Sequence, residues 1–361
     1  MINADRLLET FLGLVRIDNP SGEEATIAAH VRGLLEAIGL TVEEDGVHNL
    51  LARMPGDGVP LLLNAHMDSV TPCRGVRPVV ADGVVRSSGD TVLGADDLAG
   101  VAAIVEGVRA TLERGGTHRA AEVLFTVQEE IGLRGAAIFD TGKLRAREGV
   151  TLDSGGDFGG ITVGAPSQDS LYMLVAGRAA HAGVAPEQGI NAIVVAARAL
   201  AAMPLGRIDE ETTANVGIIK GGDATNIIPP QVELWGEARS HDQDKLVNQV
   251  KAMVAALEDA ARAHDARVQV EITHKYDAYR LAEDLPIIQR AVAILRAMGV
   301  EPRFVISGGG SDVNIFARRG LSVANLSVGY RAIHSTDEHI AIADLSRAAE
   351  MVARLLVENE G

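Results

Sequence analysis

The chain has 361 residues, of which 47% are hydrophobic and 23% are charged, a balance typical of a globular protein with two domains or one domain carrying an insertion. Its formal net charge of −16 argues against nucleic acid or an anionic membrane as a partner. The single cysteine, Cys73, excludes an internal disulfide, and no apolar run is long enough to span a membrane. The N-terminus lacks the pattern of a signal peptide, so we expect a cytoplasmic protein.

Predicted helices and strands alternate along the first 164 residues. The spacing of apolar residues predicts helices at 4–17, 23–38 and 101–112. Apolar and β-branched runs predict strands at 40–44, 50–54, 59–64, 121–127 and 150–152, with a long loop from 70 to 93. The run 59–64 is almost wholly apolar, which is typical of a strand covered on both faces. This order predicts a largely parallel sheet flanked by helices.

The pattern changes near residue 165. Strands are predicted at 170–177, 212–220, 231–239 and 267–274, with helices at 189–203 and 243–263, which is the β-α-β-β-α-β order of a ferredoxin-like unit. The α/β pattern then resumes with helices at 285–298 and 343–357, strands at 302–306 and 321–326, and a polar loop at 329–339. We therefore predict an α/β domain formed by residues 1–164 and 277–361, with an α+β domain inserted at 165–276.

Five positions place a side chain that can bind a metal ion at the end of a predicted strand or just before a helix. They are His66 with Asp68, Asp96 with Asp97, Glu129 with Glu130, Asp153, and His334. Each alone has an ordinary explanation as a helix cap, a turn residue or a hydrogen-bonded histidine. If one sheet carries all five, they meet at one of its edges. The mixed imidazole and carboxylate set suits zinc, manganese or cobalt, and the excess of acids indicates two ions sharing a carboxylate.

The adjacent carboxylates of Glu129 and Glu130 follow the predicted strand 121–127. Successive strand residues point to opposite faces, so the two side chains can have different roles, although the spacing does not say which has which. The sequence contains no H-E-x-x-H helix, no G-x-S-x-G elbow and no phosphate-binding loop. The pattern therefore favours metal-assisted chemistry over a serine hydrolase. A non-catalytic binding protein remains the alternative from another class, and such a protein has no need of a second carboxylate that could act as a general base.

The metal-capable positions lie in motifs that resemble a known family. The segments N-A-H-M-D-S-V (64–70), L-G-A-D-D-L-A-G-V-A (93–102), T-V-Q-E-E-I-G-L-R-G-A (126–136), L-D-S-G-G (152–156) and R-A-I-H-S-T-D-E-H-I (331–340) resemble the zinc exopeptidase family of peptidase T (tripeptidase T), aminoacylase and succinyl-diaminopimelate desuccinylase. The segments at 177–183, 221–229 and 237–240 fit its lid domain. The resemblance covers nearly the whole chain and is closest to the peptidase T-like subgroup. It implies a zinc exopeptidase-like catalytic domain with an inserted ferredoxin-like lid and dimerisation domain.

The resemblance also implies a ligand for each of two metal ions. Asp96 would bridge two zinc ions per subunit, with cobalt or manganese as alternatives. His66 and Asp153 would complete one site, and Glu130 and His334 the other. The peptide bond between Asp96 and Asp97 would be cis, as it often is in this family.

Three further residues are implied to be catalytic. Glu129 would be the general base acting on a metal-bridging water, and Asp68 would hydrogen-bond the imidazole of His66 and orient it. His181 would stabilise the tetrahedral oxyanion from the partner subunit, so we expect a homodimer joined through the lid domain. Substrate contacts are matched by position at Asn226, Arg239, Arg280 and Gly309; Arg239 has the alternative of a structural salt bridge.

The function implied by the resemblance is that of a dinuclear zinc metallopeptidase which hydrolyses short peptides as a tripeptidase-like aminopeptidase. A metal-dependent N-acyl amino acid amidohydrolase or a carboxypeptidase of the same family is the alternative, because the metal core is common to all of them.

Overall fold

A computed structural model describes residues 1–357, which divide into two compact units. Unit 1 comprises Met1–Gly164, Arg280–Ser307 and the chain from Ser311 onward. Unit 2 comprises Ala165–Tyr279 together with Gly308–Gly310. Within the described part of the chain, every helix is too short or too polar to cross a membrane.

Nine α-helices and seventeen strands are found in residues 1–357. The helices are α1 (Ala4–Leu14), α2 (Ala25–Ala37), α3 (Ala95–Arg114), α4 (Arg134–Ile138), α5 (Ala192–Ala202), α6 (Gln243–Arg262), α7 (Pro286–Ala297), α8 (Asp312–Arg318) and α9 (Ile342–Val357). The strands are β1 (Thr41–Glu44), β2 (Leu50–Met54), β3 (Asp57–His66), β4 (Pro78–Ala81), β5 (Val84–Ser87), β6 (Arg119–Thr126), β7 (Glu148–Ser154), β8 (Gly160–Ala165), β9 (Ser167–Ala176), β10 (Gly206–Arg207), β11 (Thr212–Gly221), β12 (Gln231–Ser240), β13 (Arg267–Tyr276), β14 (Tyr279–Arg280), β15 (Arg303–Ile306), β16 (Ser322–Ser327) and β17 (His339–Ala341).

The main sheet of unit 1 has the order β1-β2-β6-β3-β7-β16-β8, with β15 paired to β8. The central pairs β6-β3, β3-β7 and β7-β16 are parallel. Strand β3 is buried without interruption from Pro60 to His66, as its apolar sequence predicts for a strand covered on both faces. Because parallel strands end at the same edge, the residues that follow β3, β6, β7 and β16 come together there.

Helix α3 is the buried helix of unit 1, and two glycines allow its close packing. A Cβ on Gly107 would lie 2.6 Å from Val352 of α9. A Cβ on Gly100 would lie 2.3 Å from the carbonyl oxygen of Leu152 in β7. Such distances are impossible for a real side chain, so glycine at these positions lets α3 contact both its helical neighbour and the sheet.

Unit 2 is an antiparallel sheet of order β10-β11-β12-β9-β13 with α5 and α6 packed on it. Strand β9 alternates buried residues, Leu171, Met173 and Val175, with half-buried ones, which is the pattern of a strand with one face on a core. The predicted fold class, a helix-flanked α/β sheet with an inserted ferredoxin-like domain, is confirmed.

Three short strands lie where the sequence predicts loops. Strands β4 and β5 form a hairpin inside the predicted loop 70–93, turning at Asp82-Gly83 where both residues have positive φ, 51° and 74°. Strand β17 pairs with β5 and ends the predicted polar loop 329–339. These strands have three or four residues, several of them exposed, so they carry no hydrophobic periodicity that a sequence pattern could reveal.

Candidate metal centre and active site

The five predicted metal ligands meet at the carboxyl edge of the unit 1 sheet. His66 ends β3, Asp153 lies near the end of β7, and Glu130 lies in the turn after β6. Asp96 stands at the start of α3 with a non-helical backbone, and His334 lies in the loop between β16 and β17. The topology thus gathers side chains from five separate loops and element ends.

Donor atoms within 4.8 Å of one another define two groups that share one residue. One group is His66, Asp96 and Asp153; the other is Asp96, Glu130 and His334. Oδ1 of Asp96 lies 3.3 Å from Nε2 of His66, whereas Oδ2 of Asp96 lies 3.7 Å from Nε2 of His334. The two oxygens of Asp96 therefore face different groups, as a shared ligand requires.

The protonation of His66 suits a metal ligand. Its Nδ1 lies 2.9 Å from the backbone carbonyl of Asp68, which can only accept, so Nδ1 carries the proton. Its Nε2 is buried and forms no hydrogen bond among the described residues. Burial lowers the pKa of His66, but the neighbouring Asp68 and Asp96 outweigh burial and raise it well above the usual range. A buried ring nitrogen without a hydrogen-bond partner, surrounded by carboxylates, is the environment that a divalent cation satisfies in place of a proton. The residues present therefore fit a divalent metal ion.

Asp68 contacts the imidazole of His66 through two of its atoms. Its backbone carbonyl, rather than its carboxylate, makes the short contact with His66, and carboxylate Oδ1 lies 3.5 Å from Nδ1 of the ring. The buried carboxylate instead accepts hydrogen bonds from the backbone N–H groups of Glu129 and Glu130, at 3.0 and 3.2 Å, and from the hydroxyl of Ser21 at 2.6 Å. Asp68 thus fixes the turn that carries both glutamates.

The turn after β6 also explains how the two glutamates separate. Strand β6 ends at Thr126, and Gln128 has a φ of +54°, so Glu129 and Glu130 do not lie on the strand. Their divergence therefore comes from the turn and not from strand alternation, which corrects the geometry expected from sequence. Glu130 lies 3.1 Å from Nε2 of His334, and Glu129 forms a third donor group with His66 and Glu130.

Burial and mutual repulsion dominate the titration of the acids. Burial raises the pKa of Glu129 and of Asp153 well above the usual range, and the negative charges around each add to the rise. Asp96 behaves differently: burial raises its pKa, but the nearby His66 and His334 outweigh burial and lower it. Carboxylates so placed take up protons or a cation, which agrees with the fit to a metal ion.

Asp97 contacts the backbone of His66. Its Oδ2 accepts a hydrogen bond from the backbone N–H of His66 at 3.2 Å, and burial raises its pKa well above the usual range. The Asp96–Asp97 peptide bond is cis, as the family resemblance implies.

Three buried residues around the ligands were not identified from the sequence. The Tyr330 hydroxyl donates towards Asp96 Oδ1 at 3.1 Å and lies 3.3 Å from Asp153. Asp312 accepts from the hydroxyl of Thr126 behind the centre, and burial raises its pKa to about 6. Glu338 accepts three backbone hydrogen bonds from the turn before α3, and burial raises its pKa to about 7. The sequence offered one signal, the position of Glu338 four residues after His334.

The segment Ala165–Tyr279 of unit 2 contains His181 and two of the predicted substrate contacts. His181 is exposed, and its Nδ1 accepts from the backbone N–H groups of Gly183 and Val184 at 3.1 and 3.2 Å, so the neutral ring carries its proton on Nε2. Asn226 is exposed, and its backbone carbonyl accepts from Ala182. Arg239 forms an ion pair with Glu237 at 2.9 Å on its own strand.

The two remaining predicted contacts lie in different units. Arg280 is exposed in unit 1, and Gly309 belongs to the short segment that groups with unit 2. The roles of all four substrate contacts stay predictions.

Comparison with known proteins matches both units of the chain to peptidase families. Residues 49–162 match the model of peptidase family M28, and residues 168–265 match the peptidase dimerisation domain. The protein YqjE of Bacillus subtilis is 40% identical over 99% of both chains. The crystal structure of the aminopeptidase PepT from Bacillus cereus is 39% identical, with a TM-score of 0.84 and 98% of each chain covered. That of a tripeptidase from Staphylococcus aureus is 38% identical, with a TM-score of 0.90, over 99% of this chain and 98% of that one.

The chain belongs to the peptidase T-like family of exopeptidases. The identities extend over both units, so the likeness includes the ligand-bearing strands and the inserted domain alike. The family implies a divalent metal, in agreement with the donor groups that share Asp96.

Proposed function

We propose that this protein is a metal-dependent aminopeptidase of tripeptidase type, which hydrolyses short peptides with two zinc ions per subunit. The observation that carries the proposal is the pair of donor groups meeting at Asp96, whose two oxygens face His66 and His334. A shared carboxylate between two N/O donor groups is the arrangement of dinuclear hydrolases. The full-length similarity to an aminopeptidase and a tripeptidase supports the substrate class.

The residues divide between holding the metal and moving the proton. His66, Asp96 and Asp153 would hold one ion, and Asp96, Glu130 and His334 the other. When bound, the ions would lower the pKa of a water molecule and polarise the scissile carbonyl.

Glu129 is the proposed general base. The residue is 8% exposed, and burial raises the pKa of its carboxyl well above the usual range, so it binds a proton readily. It would accept the proton of the nucleophilic water and deliver it to the amine that leaves the peptide. The backbone hydrogen bonds from Glu129 and Glu130 to Asp68 fix the turn that carries both side chains.

Unit 2 is proposed to form a homodimer and to supply His181 to the oxyanion of the partner subunit. The match of residues 168–265 to a peptidase dimerisation domain supports the dimer. The proton on Nε2 of the neutral His181 ring makes it a hydrogen-bond donor, which oxyanion stabilisation requires. Light scattering tests the dimer, and a fully active monomer would contradict it. A cytoplasmic location stays part of the prediction.

The function is tested by a substrate screen with purified, metal-stripped protein reloaded with zinc, cobalt or manganese. Tripeptides with a free N-terminus should be cleaved fastest, and blocking that amine should abolish cleavage. Preferential cleavage of N-acyl amino acids or of C-terminal residues would instead identify an amidohydrolase or a carboxypeptidase. Hydrolysis that persists at full rate without metal would contradict the proposal.

A further inference from the structure

Glu338 is a buried carboxylate in the loop between β16 and β17, with 2% of its surface exposed. Its Oε2 accepts hydrogen bonds from the backbone N–H groups of Leu93 and Gly94, both at 2.8 Å. Its Oε1 accepts from the backbone N–H of Asp96 at 2.9 Å. Both oxygens are therefore bound to the turn that presents Asp96.

The loop that carries Glu338 is closed on itself. Arg331 and His339 exchange two backbone hydrogen bonds at its base, at 2.9 and 3.1 Å. Inside the loop, Ser335 accepts from the backbone N–H of Glu338 and donates its hydroxyl to Ala332. Strand β17 then pairs with β5. This compact loop carries His334, so a contact that anchors the loop also positions that histidine.

His334 depends on such an anchor because its own side chain is 51% exposed. Among the described residues, its Nε2 contacts carboxylates of the proposed metal group, at 3.1 Å from Glu130 and 3.7 Å from Asp96. The hydrogen bond between Glu130 and the ring holds only the exposed side chain of His334, and without an ion the carboxylates of Glu130 and Asp96 repel each other, so these contacts do not fix the backbone of the loop. The three backbone hydrogen bonds that the buried carboxylate of Glu338 accepts do fix the loop.

We propose that Glu338 is a positioning residue that sets the separation of Asp96 and His334, and that the ion held by Asp96, Glu130 and His334 depends on it. The inference rests on the proposed function, because it takes this group to bind a divalent ion. Residues that hold metal ligands typically contribute about 10–100-fold to metal affinity. Removing Glu338 leaves three backbone N–H groups without their acceptor and releases the loop from the turn.

The effect should fall mainly on one of the two ions. The other group also uses Asp96, but its remaining ligands, His66 and Asp153, lie on β3 and β7 in the centre of the sheet. Those strands do not depend on the loop 331–339 for their position. Loss of Glu338 should therefore lower the affinity for one ion more than the affinity for the other, although both ions share Asp96.

The experiment is a titration of metal-stripped protein with Co²⁺ alone, followed by visible absorption in competition with a chelator. We expect wild type to bind two ions, and Glu338→Ala to keep the first while its affinity for the second falls about 10–100-fold. Glu338→Gln should lose less, because its amide oxygen can still accept from Leu93 and Gly94 while its NH₂ group opposes the N–H of Asp96. If the alanine variant does not fold, the glutamine variant provides the measurement.

Two further variants distinguish positioning from general support of the fold. Glu122 is a matched control: it is 1% exposed, and its Oε2 accepts backbone N–H groups of Arg145 and Ala146 at 2.8 and 2.9 Å. Glu122→Gln should lower stability without changing either cobalt affinity. His334→Ala should weaken the same ion as Glu338→Ala, and the double variant should not weaken the remaining ion further.

The outcomes separate the inference from the proposed function. Folded Glu338 variants with an unchanged second affinity, or with both affinities reduced equally, would overturn the role of Glu338 and leave the dinuclear site intact. Wild-type protein that binds no Co²⁺ would overturn the proposed function and the inference together.

Discussion

The two units use polar side chains in opposite ways. In unit 1, ionisable groups are buried where strands end, and His66, Asp96 and Glu129 are each 8% exposed or less. In unit 2, His181 is exposed, and Arg239 is ion-paired on its own strand. Buried donors that are fixed by hydrogen bonds within one unit suit metal binding, whereas exposed ones are available to a substrate or to another copy. Metal binding and substrate recognition should therefore be separable by mutation.

The architecture explains this difference. Parallel strands in unit 1 end in loops whose backbone N–H groups lack a strand partner. The N–H groups of Glu129 and Glu130 donate to the buried carboxylate of Asp68, and that of Asp96 donates to the buried carboxylate of Glu338. The antiparallel sheet of unit 2 pairs its backbone along ten-residue strands. Along these strands, unit 2 therefore needs no buried carboxylates to accept backbone N–H groups. The four predictions below test the separation, beginning with the largest effect.

Asp96→Ala should abolish measurable peptidase activity and the binding of both ions, because each donor group contains this residue. Metal content by mass spectrometry and peptide hydrolysis measure the two effects. Asp90→Ala, at an exposed position in the preceding loop, is the control and should keep both ions. Retention of two ions by Asp96→Ala would mean that the groups do not share this carboxylate.

Glu129→Gln should reduce turnover by about 10²–10⁴-fold, the usual contribution of a general base, while the protein still binds two ions. The amide keeps the shape of the side chain but cannot take up the proton. Glu9→Gln on the exposed face of α1 is the control. Glu129 also belongs to a third donor group with His66 and Glu130, so loss of an ion would identify Glu129 as a ligand instead.

His181→Ala should lower kcat by about 10²–10³-fold, the cost of one oxyanion donor, with both metal affinities unchanged. Steady-state kinetics and Co²⁺ titration on the same preparation measure the two quantities. His30→Ala, an exposed histidine on α2, should match wild type in both. A change in metal affinity would contradict the assignment of metal binding to unit 1 alone.

Asp312→Asn should alter the pH dependence of stability in metal-free protein. Burial raises the pKa of Asp312 from 3.8 to about 6, so the folded state retains its proton where the unfolded state has released it. Stability from this group is therefore present below pH 4 and is lost as the pH rises through about 6, by roughly 3 kcal/mol. The variant should lose correspondingly less unfolding free energy between pH 4 and pH 7 in urea titrations. If the unfolding free energy of the variant changed with pH as much as that of wild type, this contribution would be excluded. Asp5→Asn on α1 is the surface control.

Most of the regular elements could be predicted from the sequence. The predicted strand 50–54 coincides with β2, and the predicted helix 243–263 differs from α6 by one residue. Both have a hydrophobic period that one buried face imposes. The hairpin β4-β5 was missed because its short, exposed strands are held by pairing with each other and with β17. Pairing between distant segments leaves no local pattern.

The candidate site was predicted to a comparable extent. The donors could be identified because histidine and aspartate follow apolar runs, as His66 and Asp153 do. Tyr330 and Glu338 could not, since their contacts with Asp96 join residues 234 and 242 positions apart. The second set of contacts at Asp68, whose carboxylate also accepts from the glutamate turn while its carbonyl binds His66, likewise depends on the folded backbone.

By itself the sequence determined which metal-capable side chains follow which strands, because side-chain chemistry and apolar periodicity are local properties of the chain. Only the tertiary structure decided that Asp96 faces two donor groups, that Glu129 and Glu130 diverge in a turn, and that Glu338 anchors the His334 loop. Those relations depend on the strand order β6-β3-β7 and on hydrogen bonds between distant segments, which bring together groups that the sequence keeps far apart.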